Sequence, residues 1–147
     1  MHTVEHLRAN YIYEPDTGLF YRKARPQRVC GTLRKDGYVV INWNYKLHLA
    51  HRMAWLYVYG EWPTKEIDHI DLKRSNNRIS NLRDVPRWIN HLNCGRQSNN
   101  TSGYIGIDRF ENRWRARCCE EHLGLFATLE EAVTAYNHKR NHYMNGR

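Results

Sequence analysis

Apolar and polar positions divide the chain into three stretches of different character. Over residues 1–47, short runs rich in aromatic and β-branched residues, Leu19 to Arg22 and Tyr38 to Trp43, alternate with the turn signals EPDTG, CG and KDG. That pattern predicts strands and hairpins. Asp36-Gly37 is the strongest turn, since glycine tolerates positive φ and the flanking residues LR and YVVI can pair. From Leu49 to Tyr59, LAHRMAWLYVY is apolar enough for a largely buried helix, stopped by Gly60 and then Pro63.

After Asn93 the composition shifts to CGRQSNNTSG, the signature of a connector. Beyond it GYIGIDRF and NRWRARCCE read as strands joined at Glu111-Asn112, and HLGLFAT as a third. Thr128-Leu-Glu-Glu131 then opens a helix, with Thr at the cap and Glu three residues on. Leu129, Ala132, Val133 and Tyr136 recur at helical spacing and are expected on the sheet. The expectation is an α+β chain: a first domain over 1–94 with its core motif at 50–93, a linker at 95–102, and a second domain over 103–147 made of a small three-stranded antiparallel sheet plus one helix.

Charge narrows the partners. Lys and Arg number 23 against 15 Asp and Glu, a formal +8 with a pI near 9.5, so the surface field favours polyanions such as nucleic acid. No apolar run reaches membrane-spanning length, and MHTVEHLRAN lacks the apolar core of a signal peptide. An intracellular, cytoplasmic protein without membrane attachment is expected. Cys30, Cys94, Cys118 and Cys119 show no C-x-x-C spacing, so no structural zinc is expected. Adjacent Cys118 and Cys119 point to opposite faces of a strand, one thiol buried and one exposed.

The densest chemistry lies at IDHIDLKRSNNRISNLRDVPRWINHLN, residues 67–93. Ile67 and Ile70 are expected to face inward and bracket Asp68-His69, a polar pair facing solvent at a strand end. Asp offers a hard oxygen for Mg²⁺ and His a base near neutral pH. Asn76-Asn77 reads as a turn, and Asn81 as an amide that fixes the loop backbone. Pro86 suits the start of a helix carrying Asn90, with Trp88, Ile89 and Leu92 as its buried contacts.

These residues resemble the HNH endonucleases of the ββα-metal fold, in the homing branch found in phages and introns. The resemblance runs from Ala50 to Asn93 and rests on AHRMAW, G-x-W-P, IDHID, NN, ISNLR and a terminal N-x-x-N. It implies a divalent cation, Mg²⁺ first and Mn²⁺ second, held by Asp68 and Asn90. His69 is implied as general base, and Asn81 as the residue holding the active-site loop. Many members carry histidine where this chain has Asn90; His91 is adjacent but turned about 100° around the helix. The implied activity is hydrolysis of a phosphodiester bond in double-stranded DNA, leaving 5′-phosphate and 3′-hydroxyl ends; a monomer with no obligate protein partner is expected.

Lys73, Arg74, Arg78, Arg83 and Arg87 cluster around this motif and are candidates for phosphate contacts. In the last third, Arg109, Arg113, Arg115 and Arg117 surround Trp114, and strand alternation puts Arg115 and Arg117 opposite Trp114 and Ala116. Here NNTSGYIGI, RWRAR and LGLFATLEEAVTAYN resemble the plant Apetala-two or ethylene-response-factor DNA-binding domain, which implies a DNA-reading module. Trp55, Tyr57 and Tyr136 are expected in the core, whereas Tyr11, Tyr13, Trp43 and Tyr45 are candidates to touch DNA. The rival readings are a non-catalytic DNA-binding protein on a decayed nuclease scaffold and an RNA-binding module.

Overall fold

The computed structural model describes residues 3–93, 98 and 100–145. Chain contacts divide it into two compact units, Met1–Pro86 and Arg87–Arg147. Of the expected linker at 95–102, residues 95–97 and 99 lie outside the described residues, as does Cys94.

The first unit begins with a helix the hydrophobic pattern did not predict, α1 (Val4–Asn10). Thr3 caps it by accepting the His6 amide at 3.3 Å, and Glu5 occupies its first turn. Leu7 is its one fully buried contact, too little periodicity to register in a seven-residue segment. Two antiparallel sheets follow. The first pairs β1 (Tyr11–Glu14), β2 (Leu19–Arg22) and β3 (Arg25–Cys30) in sequence order, and the second pairs β4 (Thr32–Leu33), β5 (Val39–Trp43) and β6 (Lys46–Leu49). The Asp36-Gly37 turn joins β4 to β5, with Gly37 at φ +87° donating to the Arg34 carbonyl.

Helix α2 (Ala50–Tyr59) ends as predicted. Gly60 takes the left-handed conformation, φ +84°, and its amide caps the Leu56 carbonyl. Then β7 (Glu66–His69) pairs antiparallel with β8 (Leu82–Val85) across a loop that closes through a short 3₁₀ turn, Ile79–Asn81. Leu7, Phe20, Ile41, Trp43, Met53, Ala54, Leu56, Ile67 and Leu82 form one core.

Three aromatics proposed as DNA contacts belong to that core. Tyr11, Tyr13 and Trp43 are buried, and each satisfies its polar tip internally: Tyr11 Oη donates to the Asn42 carbonyl, Tyr13 Oη to the Asn77 carbonyl, and Trp43 Nε1 to His6 Nδ1. An aromatic ring with an internal partner for its polar atom loses nothing by burial. Tyr45, at the β5–β6 turn, is fully exposed.

The second unit opens with α3 (Arg87–Leu92), followed by β9 (Ile107–Phe110), β10 (Arg113–Cys118), β11 (Glu121–Phe126) and α4 (Leu129–Asn145). β10 is the central strand of the antiparallel sheet. Ala132 and Tyr136 of α4 are buried with Ile107, Ala116 and Cys118, and Leu129 and Val133 pack against them. The cap forms reciprocally: the Glu131 amide donates to Thr128 Oγ1 at 3.2 Å while Glu131 Oε2 accepts the Thr128 amide at 3.3 Å.

Gly106 sets the closeness of helix to sheet. A Cβ there would lie 2.3 Å from the Arg117 carbonyl oxygen and 2.5 Å from the Tyr136 ring, so a hydrogen is what fits. Cys118 is buried and Cys119 exposed; both are free thiols. On α3, Leu92 is buried as expected, but Trp88 is 45% exposed, its ring edge-on to Tyr143 rather than in a core. The six-residue α3 is too short to offer a broad apolar face. Among the described residues, no helix is long and apolar enough to cross a membrane.

Candidate active site

The β7–β8 ladder sets the geometry. Asp68 pairs opposite Arg83 and His69 opposite Leu82, so the strand end offers a carboxylate and an imidazole in consecutive positions. Both side chains are buried, at 3% and 5% exposure, and Ile70 is the residue that faces solvent. The expectation of a solvent-facing pair bracketed by two inward isoleucines therefore fails twice, since Asp68 and His69 are buried and Ile70 is exposed. The strand ends at His69 and the chain turns there, which releases Ile70 from the alternation.

Burial of Asp68 is matched by charge. Arg83 Nε lies 2.7 Å and Nη2 2.5 Å from Asp68 Oδ2. This pair comes from directly opposite strand positions, the arrangement in which opposite charges support each other. It also fixes the rotamer of the carboxylate.

His69 sits among different neighbours. Its Nε2 is 3.3 Å from Asn77 Oδ1, and its ring stands edge-on to His51 with centroids 5.0 Å apart. Tyr38 lies against both imidazoles. Burial lowers the His69 pKa from its ordinary value, against the Asn77 hydrogen bond and the Asp68 and Asp71 charges, which raise it. The imidazole is thus neutral at neutral pH. With Nε2–H donating to Asn77, Nδ1 is the basic nitrogen. His51 is held neutral more strongly: burial, His69 and Arg52 push its pKa down to about 3. Its Nδ1 is buried with no hydrogen-bond partner among the described residues.

The loop between the strands is knotted by amides. Asn81 Oδ1 accepts the Asp71 amide at 3.0 Å, and its Nδ2 donates to Asp71 Oδ1 and to the Asn76 carbonyl, both at 2.9 Å. Asn76 Nδ2 donates to Asp71 Oδ2 at 2.7 Å. Burial pulls the Asp71 carboxyl upward, but hydrogen bonds from Asn76, the Lys73 amide and Asn81 outweigh it and hold the pKa below the usual range. Gly18 braces the same loop from β1–β2: at φ +74° it lies against the Asn77–Arg78 backbone, where a Cβ would come within 2.4 Å of the Arg78 nitrogen.

The first unit thus brings together Asp68, His69, Asn77 and Asn81. Sequence reasoning assigned Asn77 only to a turn and passed over His51 and Asp71; the signal for Asn77 was its place in the NN pair. Of the basic candidates, Arg83 is committed to Asp68. Arg74 Nη1 donates to the Asp36 carbonyl at 3.0 Å, with its guanidinium over Tyr38, while Lys73 and Arg78 are exposed. Asn90, His91 and Arg87 lie on α3, in the second unit.

Among the described residues no group of three or more His, Cys, Asp or Glu is arranged to hold a metal ion. A site built on one carboxylate and an asparagine would not form such a group. The donor chemistry of Asp68 suits a hard divalent cation. A carboxylate accepts at two oxygens, and Arg83 engages one while orienting the other, as outer partners of metal ligands do.

In the second unit, Trp114 and Ala116 lie on the helix side of β10 and Arg113, Arg115 and Arg117 on the other. Arg115 is bound by Asp108, its cross-strand neighbour, and Arg109 lies over the Trp114 ring at 5.1 Å.

No curated protein matches the chain. Among solved structures it is similar to the HNH homing endonuclease I-HmuI, a structure described as showing DNA binding and cleavage. Identity is 28% and the TM-score 0.47, over 57% of this chain and 51% of that one. The match thus spans about half of the length of I-HmuI. Residues 48–92 match the family model described as HNH endonuclease, a span that takes in α2, the Asp68-His69 strand and the amide loop.

Proposed function

We propose that the protein is a divalent-metal-dependent DNA endonuclease of the HNH homing type, which hydrolyses a phosphodiester bond in double-stranded DNA at a site read partly by its second unit. The observation that supports this most is the buried His69, neutral and oriented by Asn77, directly following an Arg83-oriented Asp68.

In this reading His69 accepts a proton from the attacking water at Nδ1, and Asn77 holds the tautomer through Nε2. Asp68 would hold the cation, and the family resemblance implies Asn90 as a second oxygen donor. A bound Mg²⁺ or Mn²⁺ supplies positive charge against the scissile phosphate and the departing oxygen. Asn81 keeps the loop closed so that Asn77 stays under the imidazole. Lys73 and Arg78, exposed beside the loop, bind phosphates without reading sequence. The expected DNA-binding domain, residues 103–147 within the second unit, docks its arginine face on duplex DNA.

The test is supercoiled plasmid incubated with the protein and Mg²⁺ or Mn²⁺, with and without chelator, beside His69→Ala. Metal-dependent nicking that falls by ~10²- to 10⁴-fold in the variant, with DNA binding retained, is the expected result. Binding without cleavage in any metal would favour a second reading, a non-catalytic DNA-binding protein. The observation on its side is the Asp68–Arg83 ion pair, in which a guanidinium already neutralises the proposed ligand.

A further inference from the structure

The outer face of the second unit's sheet carries Arg113, Arg115 and Arg117 on β10, with Asp108 and Phe110 beside them on β9. Three arginines alone would make a phosphate clamp, indifferent to sequence. The single carboxylate changes what the face can do.

Asp108 grips Arg115 in a fork: Nε to Oδ1 at 3.2 Å and Nη2 to Oδ2 at 2.5 Å. Arg117 Nη2 reaches Oδ1 at 3.4 Å, and the Arg115 guanidinium lies over the Phe110 ring at 5.1 Å. The Arg115 pair remains partly open, with side chains 28% and 35% exposed. The Asp108 carboxyl is held below the ordinary range, chiefly by the Arg115 hydrogen bond, so it stays charged.

Resting on the reading of this unit as a DNA-docking module, we infer that Asp108 is a specificity-determining residue, which fixes Arg115 to read a guanine in the major groove and keeps the face from binding phosphates indiscriminately. The chemistry has two parts. Arg has five N–H donors, and the edge formed by Nε and Nη2 is taken by Asp108. The other edge, Nη1 with the second hydrogen of Nη2, carries two parallel donors, the pattern that matches guanine O6 and N7. A guanidinium fixed by a carboxylate and stacked on a ring meets the base with its rotamer freedom already lost. The same carboxylate repels the phosphates of any duplex on which Arg115 finds no guanine, so it penalises the wrong site more than the right one.

The test uses the full chain in chelator, so that nothing is cut. Duplexes are selected from a randomised pool, and affinities are measured for the enriched duplex and a scrambled duplex. Asp108→Asn is expected to weaken binding to the enriched duplex by roughly tenfold, the worth of one bidentate base contact. It should at the same time tighten binding to the scrambled duplex several-fold, with a log–log salt slope steeper by about one. Arg115→Lys, which keeps the charge and loses the fork, is expected to remove the guanine preference without the tightening. Equal weakening on both duplexes, or an unchanged ratio, would overturn the role of Asp108 and leave the docking module standing. A wild-type chain that enriches no sequence overturns the docking reading and the inference with it.

Discussion

Arg83 and Asp68 face each other across the β7–β8 ladder, the guanidinium placing both Nε and Nη2 on one carboxylate oxygen. Removing the guanidinium leaves a buried charge uncompensated, so Arg83→Gln is expected to cost about 3 kcal/mol of stability. In thermal unfolding, Mg²⁺ should raise the midpoint of the variant more than that of wild type, because the cation then replaces the missing positive charge. An equal metal response in the two proteins would place the cation away from Asp68.

His51 predicts acid sensitivity. Its folded pKa is about 3, against an ordinary 6.5. The folded state keeps the ring neutral, and the unfolded chain binds a proton below about 6.5, so the unfolded state holds more protons through the window between. Stability from this site is complete above 6.5 and is lost as pH falls toward 3. Urea midpoints measured between pH 7 and pH 4 should fall, and His51→Leu should flatten that slope.

Gly18 and Gly60 form a matched pair for testing the brace under the candidate-site loop. Both have positive φ, but only at Gly18 does a Cβ collide with backbone, at Arg78 and Asn77; at Gly60 nothing lies within 4 Å. Gly60→Ala should show only the conformational cost of about 1 kcal/mol. Gly18→Ala should exceed it by at least that much and reduce nicking as well, since Asn77 moves with its backbone. Equal losses in chemical denaturation would show that the loop yields without cost.

Thr128→Ala removes the acceptor for the Glu131 amide and is expected to lower the stability of the second unit by about 1 kcal/mol. Hydrogen exchange at the first turn of α4 reads this directly. Protection there should drop while the β7–β8 amides keep theirs.

What could be read from the sequence follows from how local each signal is. The α2 stop at Gly60, the Asp36-Gly37 turn, the three strands of the second unit and the Thr128–Glu131 box all depend on residues within a few positions of one another. The buried setting of Asp68 does not: it requires Arg83, fifteen positions on and read as a DNA contact. Asn77 is similar, since its role depends on His69, Tyr13 and Gly18, brought in from three elements. Tyr11, Tyr13 and Trp43 are not legible locally, because an aromatic residue has the same sequence signature whether its polar tip meets nucleic acid or an acceptor of its own chain.

Gly106 separates two kinds of constraint within one small sheet. The helix docks through a missing methyl on one side, while Phe110, Arg113, Arg115 and Arg117 project from the other. Substitutions at those four positions leave the closure of α4 on the sheet untouched. If the second unit reads DNA as proposed, its target choice is free to drift, or to be retargeted in a randomised library, on a scaffold whose folding is decided elsewhere.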